Sequence, residues 1–246
     1  HSRTSYFLAN SKAVELDLQN EGADLDKIQC IYNAINVKDV ETKLKKYNKS
    51  DVRKKYNLSD NSLVLIKVAN LISYKGHVDL LNVLATIGDD LPNDWCLLCA
   101  GRDDGLLPRL KAIAEENQIS HHIRWLGEVD DIFELLAASD IGLLCSHEEG
   151  FPNVILEYMS VGLPVIASNA GGIPEIITHD ESGKIFTVHN LHQLASFVIE
   201  LCNDRDQRIE LGHAGKEQVA SIFTEEKCVR EYLQMYERLL EEKASK

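Results

Sequence analysis

Short apolar runs of four to eight residues alternate along this chain with stretches whose apolar positions recur at helical spacing. The runs predict strands near 5–9, 28–32, 62–69, 95–100, 122–126, 141–145, 164–168 and 184–188. The helical spacing predicts amphipathic helices near 11–21, 76–88, 106–118, 130–138, 153–161, 173–179, 190–203, 205–220 and 224–242. Regular alternation of strand and helix predicts an α/β fold built on a parallel, doubly wound sheet with helices on both faces. In such sheets ligands bind in the crevice outside the carboxyl ends of the strands, where Asn70, Gly101, Gly127 and the 146–153 turn all fall. No internal repeat or low-complexity segment interrupts the pattern, and 243–246 reads as a frayed end.

Composition narrows this picture. The chain has 246 residues, 44% of them hydrophobic, enough to bury a substantial core. No apolar run approaches the roughly 20 residues needed to span a bilayer, and no signal peptide opens the sequence, so a cytoplasmic location is expected. The net charge of -13 argues against a nucleic-acid binder and against docking of this part on anionic lipid. Six cysteines are scattered, and the single C-x-x-C, Cys96 and Cys99, lies inside the apolar run WCLLCAG. It reads as buried strand, not as a redox turn or zinc knuckle.

The chemistry concentrates in SHEEGFPNVILEYMSVGLPVIASNAGGIPE, residues 146–175. Pro152 sits where a first helical position belongs, with φ preset and no N–H to leave unpaired. The free N–H groups of Asn153, Val154 and Ile155 would then face an anion at a helix N-terminus. Two carboxylates, Glu149 on the loop and Glu157 inside the helix, flank that pocket. Carboxylates are poor phosphate ligands, but each accepts hydroxyl hydrogen bonds from a sugar or ribose. Taken singly, each is more often a solvated surface acid. Side by side with a phosphate-binding turn, they point to a sugar carried on a phosphate.

The run EGFPNVILE, followed by GLPVIAS and GGIPE, closely resembles the E-x7-E region of the retaining glycosyltransferases of family 4, the group 1 glycosyltransferases of GT-B fold. VANLISYKGHVDLL at 68–81, LLCAGRDDG at 97–105 and IRWLGEVDDIFELLAASDIGLL at 123–144 extend the likeness in order, so that it is continuous from about Ile28 to the C-terminus. The resemblance implies a Rossmann-like, donor-binding half of such an enzyme, which transfers a sugar from a nucleoside diphosphate, UDP above all, to a glycan or lipid-linked acceptor. It implies that Glu149 contacts the donor sugar and Glu157 the ribose, within the Gly150-Phe151-Pro152-Asn153-Val154 turn. The family clamps the diphosphate with an Arg followed five positions later by Lys. Here Asn70 stands in the first position and Lys75 in the second, leaving Arg102 in AGRDDG as a candidate substitute. Gly171-Gly172 serves either close backbone approach to the donor sugar or a strand-to-helix turn. Gly127-Glu128-Val129 either meets a nucleobase edge or forms an ordinary connecting loop.

By the same resemblance, 1–34 is the end of an acceptor-side domain and the crossover, 35–222 the donor domain, and 223–246 a helix returning to the first part. The abrupt start at HSRTS reads as that of a fragment, with most of the acceptor domain outside it. Asp24-Leu25-Asp26 has the D-x-D pattern of metal-dependent transferases of another fold, but lies in a turn far from the strand ends and reads as solvated. No metal or cofactor is expected for the diphosphate, since Lys75 and the helix N-terminus supply positive potential. His77 reads as a surface or packing residue, and the other histidines lack ligand spacing. A nucleotide-sugar epimerase of related fold, or a non-catalytic nucleotide-sugar module, are the alternatives.

Overall fold

The computed structural model describes residues 6–244. Strands β1 (Phe7–Ala9) and β2 (Ile28–Cys30) pair in parallel, Phe7 opposite Ile28. Between them runs α1 (Lys12–Asn20), capped by Ser11, whose hydroxyl accepts from the Val14 N–H. Ser5 of the predicted first strand lies outside the described residues, as do the last two residues of the predicted frayed end.

The main sheet consists of β3 (Leu63–Val68), β4 (Trp95–Ala100), β5 (Ile123–Gly127), β6 (Ile141–Leu144), β7 (Val165–Ser168) and β8 (Lys184–Phe186). All pairs are parallel, in the order β5-β4-β3-β6-β7-β8. The chain therefore builds outward from β3 in one direction, then returns to build outward from β6 in the other. The switch point between β3 and β6 opens a crevice at their carboxyl ends.

Alternation along each strand divides the interior into two cores. Leu63, Leu65, Leu97, Cys99, Ile141 and Leu143 face α4 (His77–Ile87), α5 (Leu107–Glu116) and α9 (Leu191–Asn203). Val64, Ile66, Cys96, Leu98 and Leu144 face α6 (Ile132–Ala138), α7 (Asn153–Ser160) and α10 (Arg205–Ile222). Cys96 and Cys99 thus point into opposite cores as free thiols, and burial pushes them up to about 11 and about 12.

Two helices fall where no element is predicted, α2 (Val37–Leu44) and α3 (Lys49–Lys55). In α2, Val37, Val40 and Leu44 stand at helical spacing and pack on the core, a period only two turns long, while α3 buries only Val52 and the Arg53 side chain. Capping and charge add to this packing. Asn36 and Asn48 cap their first turns, and buried Arg53 bonds Asp140 at 2.8 Å and the Ala138 carbonyl at 3.1 Å. The helix predicted at 173–179 is shorter, α8 being Ile173–Ile176.

Contacts of α8 and of the last helix hold the small sheet to the rest of the chain. Glu175 of α8 accepts from the Lys12 and Ala13 N–H groups at 2.7 and 2.9 Å, capping α1 from outside. The last helix, α11 (Glu225–Ala244), returns to the small sheet, where the Arg238 guanidinium donates to Tyr6 and to Gln29. Among the described residues no helix is long and apolar enough to cross a membrane.

Candidate functional site

The loops after β3 and β6 meet at the switch point because a glycine allows it. Gly76 has φ 66°, and a Cβ there would stand 1.8 Å from the Cys145 carbonyl oxygen. This close approach lets the His147 N–H donate to the Tyr74 carbonyl at 2.7 Å and sets Lys75 Nζ 2.7 Å from Glu149 Oε1. Both side chains are largely withdrawn from water, Lys75 19% and Glu149 9% exposed. From the other side, Gly171 (φ 51°) presses its backbone against Glu149, where a Cβ would lie 1.6 Å from the carbonyl oxygen. The Gly172 N–H donates to the Gly150 carbonyl at 2.9 Å. The glycine pair thus packs on the acidic turn itself, and Lys75, His147, Glu149, Gly150 and Gly171 line one cavity of about 790 Å3 that α1 closes on its far side.

Helix α7 starts one residue later than the proline rule predicts. Pro152 is the N-cap, with ψ 107°, and Asn153 is the first helical residue. The Ile155 N–H is taken by the Pro152 carbonyl at 3.1 Å, which removes it from the anion-facing set. Asn153 and Val154 keep their N–H groups free of partners among the described residues. The Asn153 side chain accepts from Asn33 of the crossover at 2.8 Å. Phe151 turns inward, its ring 5.5 Å from that of Tyr32 and 5.7 Å from that of Phe223. Its side chain braces the crossover, so any ligand contact at 151 falls to the backbone.

Glu157 lies outside the lining of the Lys75 cavity. It is half-buried, and its carboxylate makes no hydrogen bond among the described residues. Burial raises its pKa above the ordinary glutamate value, with Lys43 of α2 pulling the other way. A carboxylate kept partly dry and unpaired has lone pairs to give a ligand hydroxyl.

Gly101, Gly127 and Asn70 share the neighbouring stretch of the sheet edge. The Gly101 N–H donates to the Gly127 carbonyl at 2.7 Å, and a Cβ on Gly101 would stand 2.1 Å from the Ala69 carbonyl oxygen. Asn70 accepts from the Arg102 backbone N–H at 3.2 Å, which puts the two clamp candidates side by side. The Arg102 guanidinium, however, points to Asp104 at 2.9 Å and is 62% exposed. Glu128 is exposed, while Val129 packs on the core beneath.

Sequence reasoning missed what lies under the site. Lys67 of β3 is fully buried, and its Nζ has no hydrogen-bond partner among the described residues. His77 takes the packing role, 1% exposed with both ring nitrogens unpartnered. Burial, with Lys67 and Lys75 nearby, pushes His77 down to about 2. The Ser146 hydroxyl is likewise buried and unpaired. His147, His189 and Asp79 come together although nothing in their spacing announces it.

Residues 48–218 match the family described as glycosyl transferases group 1. Over 228 residues the chain is 32% identical to the N-acetyl-alpha-D-glucosaminyl L-malate synthase of Bacillus anthracis, covering 91% of this chain and 58% of that one. Over 182 residues it is 28% identical to the GDP-mannose-dependent alpha-(1-6)-phosphatidylinositol monomannoside mannosyltransferase of Mycobacterium tuberculosis, covering 70% and 46%. Among solved structures, a glycosyltransferase from Rickettsia africae superimposes with a TM-score of 0.86 at 25% identity, over 96% of this chain and 64% of that one. HepE of Anabaena, solved with UDP and glucose, shares the fold with a TM-score of 0.84 at 23% identity, over 97% and 64%. This chain spans about half to two thirds of the length of these proteins. The strand order, the E-x7-E turn at the switch point and a family match across most of the sequence agree, and the chain belongs to the group 1 glycosyltransferases.

Proposed function

We propose that this chain is the donor-binding part of a retaining hexosyltransferase that takes a sugar from a nucleoside diphosphate, UDP in the first instance, and passes it to a glycan or lipid-linked acceptor. The observation that carries the reading is the Lys75–Glu149 pair, 2.7 Å apart at the switch point of the sheet, on the loop that leads into the open N-terminus of α7. As the glycosidic bond breaks, negative charge grows on the diphosphate. Lys75 and the Asn153 and Val154 N–H groups offer fixed positive potential to that charge, without a metal on the diphosphate. Glu149, bonded to Lys75 through one oxygen, keeps acceptor capacity for hydroxyls of the donor sugar. Glu157 takes the ribose. Retention follows from the family-4 resemblance, and the acceptor side is built by sequence beyond residues 1–246.

A non-catalytic nucleotide-sugar module is favoured by one observation, the missing cation at Asn70 with Arg102 turned to Asp104. Calorimetry of UDP, GDP and ADP against this chain in excess chelator tests the shared premise. Millimolar or tighter binding of UDP is expected, and no heat from any of the three with a folded sample would remove the donor site. Sugar transfer separates the two readings: it is expected from a chain extended to the length of its relatives and not from residues 1–246. Binding without transfer in the extended chain would leave the module.

A further inference from the structure

A second cluster stands at the rim of the same crevice and shares His147 with the cavity that Lys75 and Glu149 line. Asp79 comes from the first turn of α4, His147 from the loop after β6, and His189 from the turn after β8. One ligand atom from each, a carboxylate oxygen and two imidazole nitrogens, lies within 4.8 Å of the other two. His147 Nε2 is 2.7 Å from Asp79 Oδ2, and its ring centroid is 4.3 Å from that of His189. The His189 ring makes no hydrogen bond among the described residues, so this imidazole faces the Asp79–His147 pair without a partner of its own. Its backbone sits at φ 65°, a conformation a non-glycine residue seldom adopts, and this places the ring beside His147.

We propose that Asp79, His147 and His189 form a binding site for a first-row transition-metal ion, with Zn2+ as the best fit. Two imidazoles and one carboxylate are the donors that such ions select, whereas Ca2+ and Mg2+ call for more oxygen ligands than this cluster offers. At metal–ligand distances of about 2.0–2.2 Å, tetrahedral ligand atoms stand about 3.3 Å apart. Side-chain rotations that open the Asp79–His147 contact slightly and draw His189 inward reach that spacing. Three protein ligands leave a fourth position for water. The ion would staple the turn after β8 to the start of α4 and to the loop that carries Glu149. It is a structural site whose ligands do not include Lys75 or the N–H groups of α7 proposed for the diphosphate, so that UDP binding persists in chelator while the ion adds stability to the folded state.

The test is titration with Zn2+ by calorimetry and thermal shift, and with Co2+ by visible absorption, on wild type and on His189→Asn and Asp79→Asn. Asn tolerates the left-handed backbone at 189, and circular dichroism verifies the fold of each variant. One ion per chain is expected, with a tetrahedral Co2+ spectrum free of thiolate charge transfer and a rise in melting temperature. Both substitutions should weaken Zn2+ binding by roughly tenfold or more while UDP affinity in chelator stays unchanged. Zn2+ affinity in His189→Asn equal to wild type, a thiolate-type Co2+ spectrum, or no binding to the folded wild type would each overturn the site. None of these outcomes touches the donor-binding reading, which is judged in chelator.

Discussion

Glu149 and Glu157 are alike in the sequence and opposite in their surroundings. Glu149 is paired with Lys75 at 2.7 Å, whereas Glu157 is half-buried with no hydrogen-bond partner among the described residues and its pKa is raised by burial. The second arrangement costs stability. A carboxyl whose folded pKa lies above its unfolded value favours folding while protonated, and that contribution is lost as pH rises above the ordinary glutamate value of 4.5. Glu157→Gln should therefore raise the melting temperature at neutral pH and leave it little changed near pH 4, which thermal unfolding across pH would measure. Calorimetry separates the two acids by ligand. Glu157→Ala should weaken UDP and UDP-sugar alike by about tenfold or more, the loss of one charge-assisted bond to the ribose, while Glu149→Ala should spare UDP and weaken UDP-sugar. Equal losses for both ligands in Glu149→Ala would remove it from the sugar subsite. Both residues stood out through the whole string EGFPNVILE with GLPVIAS and GGIPE, since Glu spacing alone means little in so acidic a chain. That string did not show that only one of them shares a cavity with Lys75, because that depends on α1 and on the glycines pressed against the turn.

At the scale of elements, the central strands β3, β4, β6 and β7 were the most legible part, since each is an apolar run buried almost throughout between the two faces of a parallel sheet. Helices α2 and α3 were not: α2 offers only the two-turn run Val37, Val40 and Leu44, and α3 is held by the Asn48 cap and the Arg53–Asp140 bond. The Asp79–His147–His189 cluster was hidden for a different reason: its members sit at the start of α4 and on the loops after β6 and β8, which only the strand order β3-β6-β7-β8 brings into line. Gly171 and Gly105 distinguish conformational strain from close packing. Both have positive φ, but a Cβ on Gly105 meets nothing within 4 Å, whereas one on Gly171 collides with the Glu149 backbone. Gly105→Ala should cost about 1–2 kcal/mol in urea unfolding, the left-handed penalty alone, and keep UDP-sugar affinity. Gly171→Ala should cost more and weaken UDP-sugar as well, since the acidic turn must move. Unchanged UDP-sugar affinity in Gly171→Ala would show that the turn is not held from that side.

For the molecule as a whole, the buried bases Lys67 and His77 set how stability responds to pH. Both have folded pKa values below their unfolded ones, Lys67 lowered from 10.5 by burial and His77 from 6.5 to about 2. Where the unfolded chain binds more protons than the native one, stability rises with pH. Lys67 therefore weakens the fold at every pH below about 10.5, and His77 adds to this as pH falls from 6.5 toward 2. Lys67→Met removes an unpaired buried amine and should stabilise the protein by about 1–3 kcal/mol at pH 7 in urea unfolding, with a smaller gain near pH 10. Loss of stability in Lys67→Met would show that the amine is satisfied and structural. Above these bases, the turn from Cys145 to Gly150 is gripped between Gly76 and Gly171, backbone against backbone on both sides. A main chain held in this way cannot slide to admit a larger sugar. For the proposed donor reading, directed evolution for a new sugar should therefore find its gains at side chains lining this cavity, such as Glu148, and none at Gly76 and Gly171.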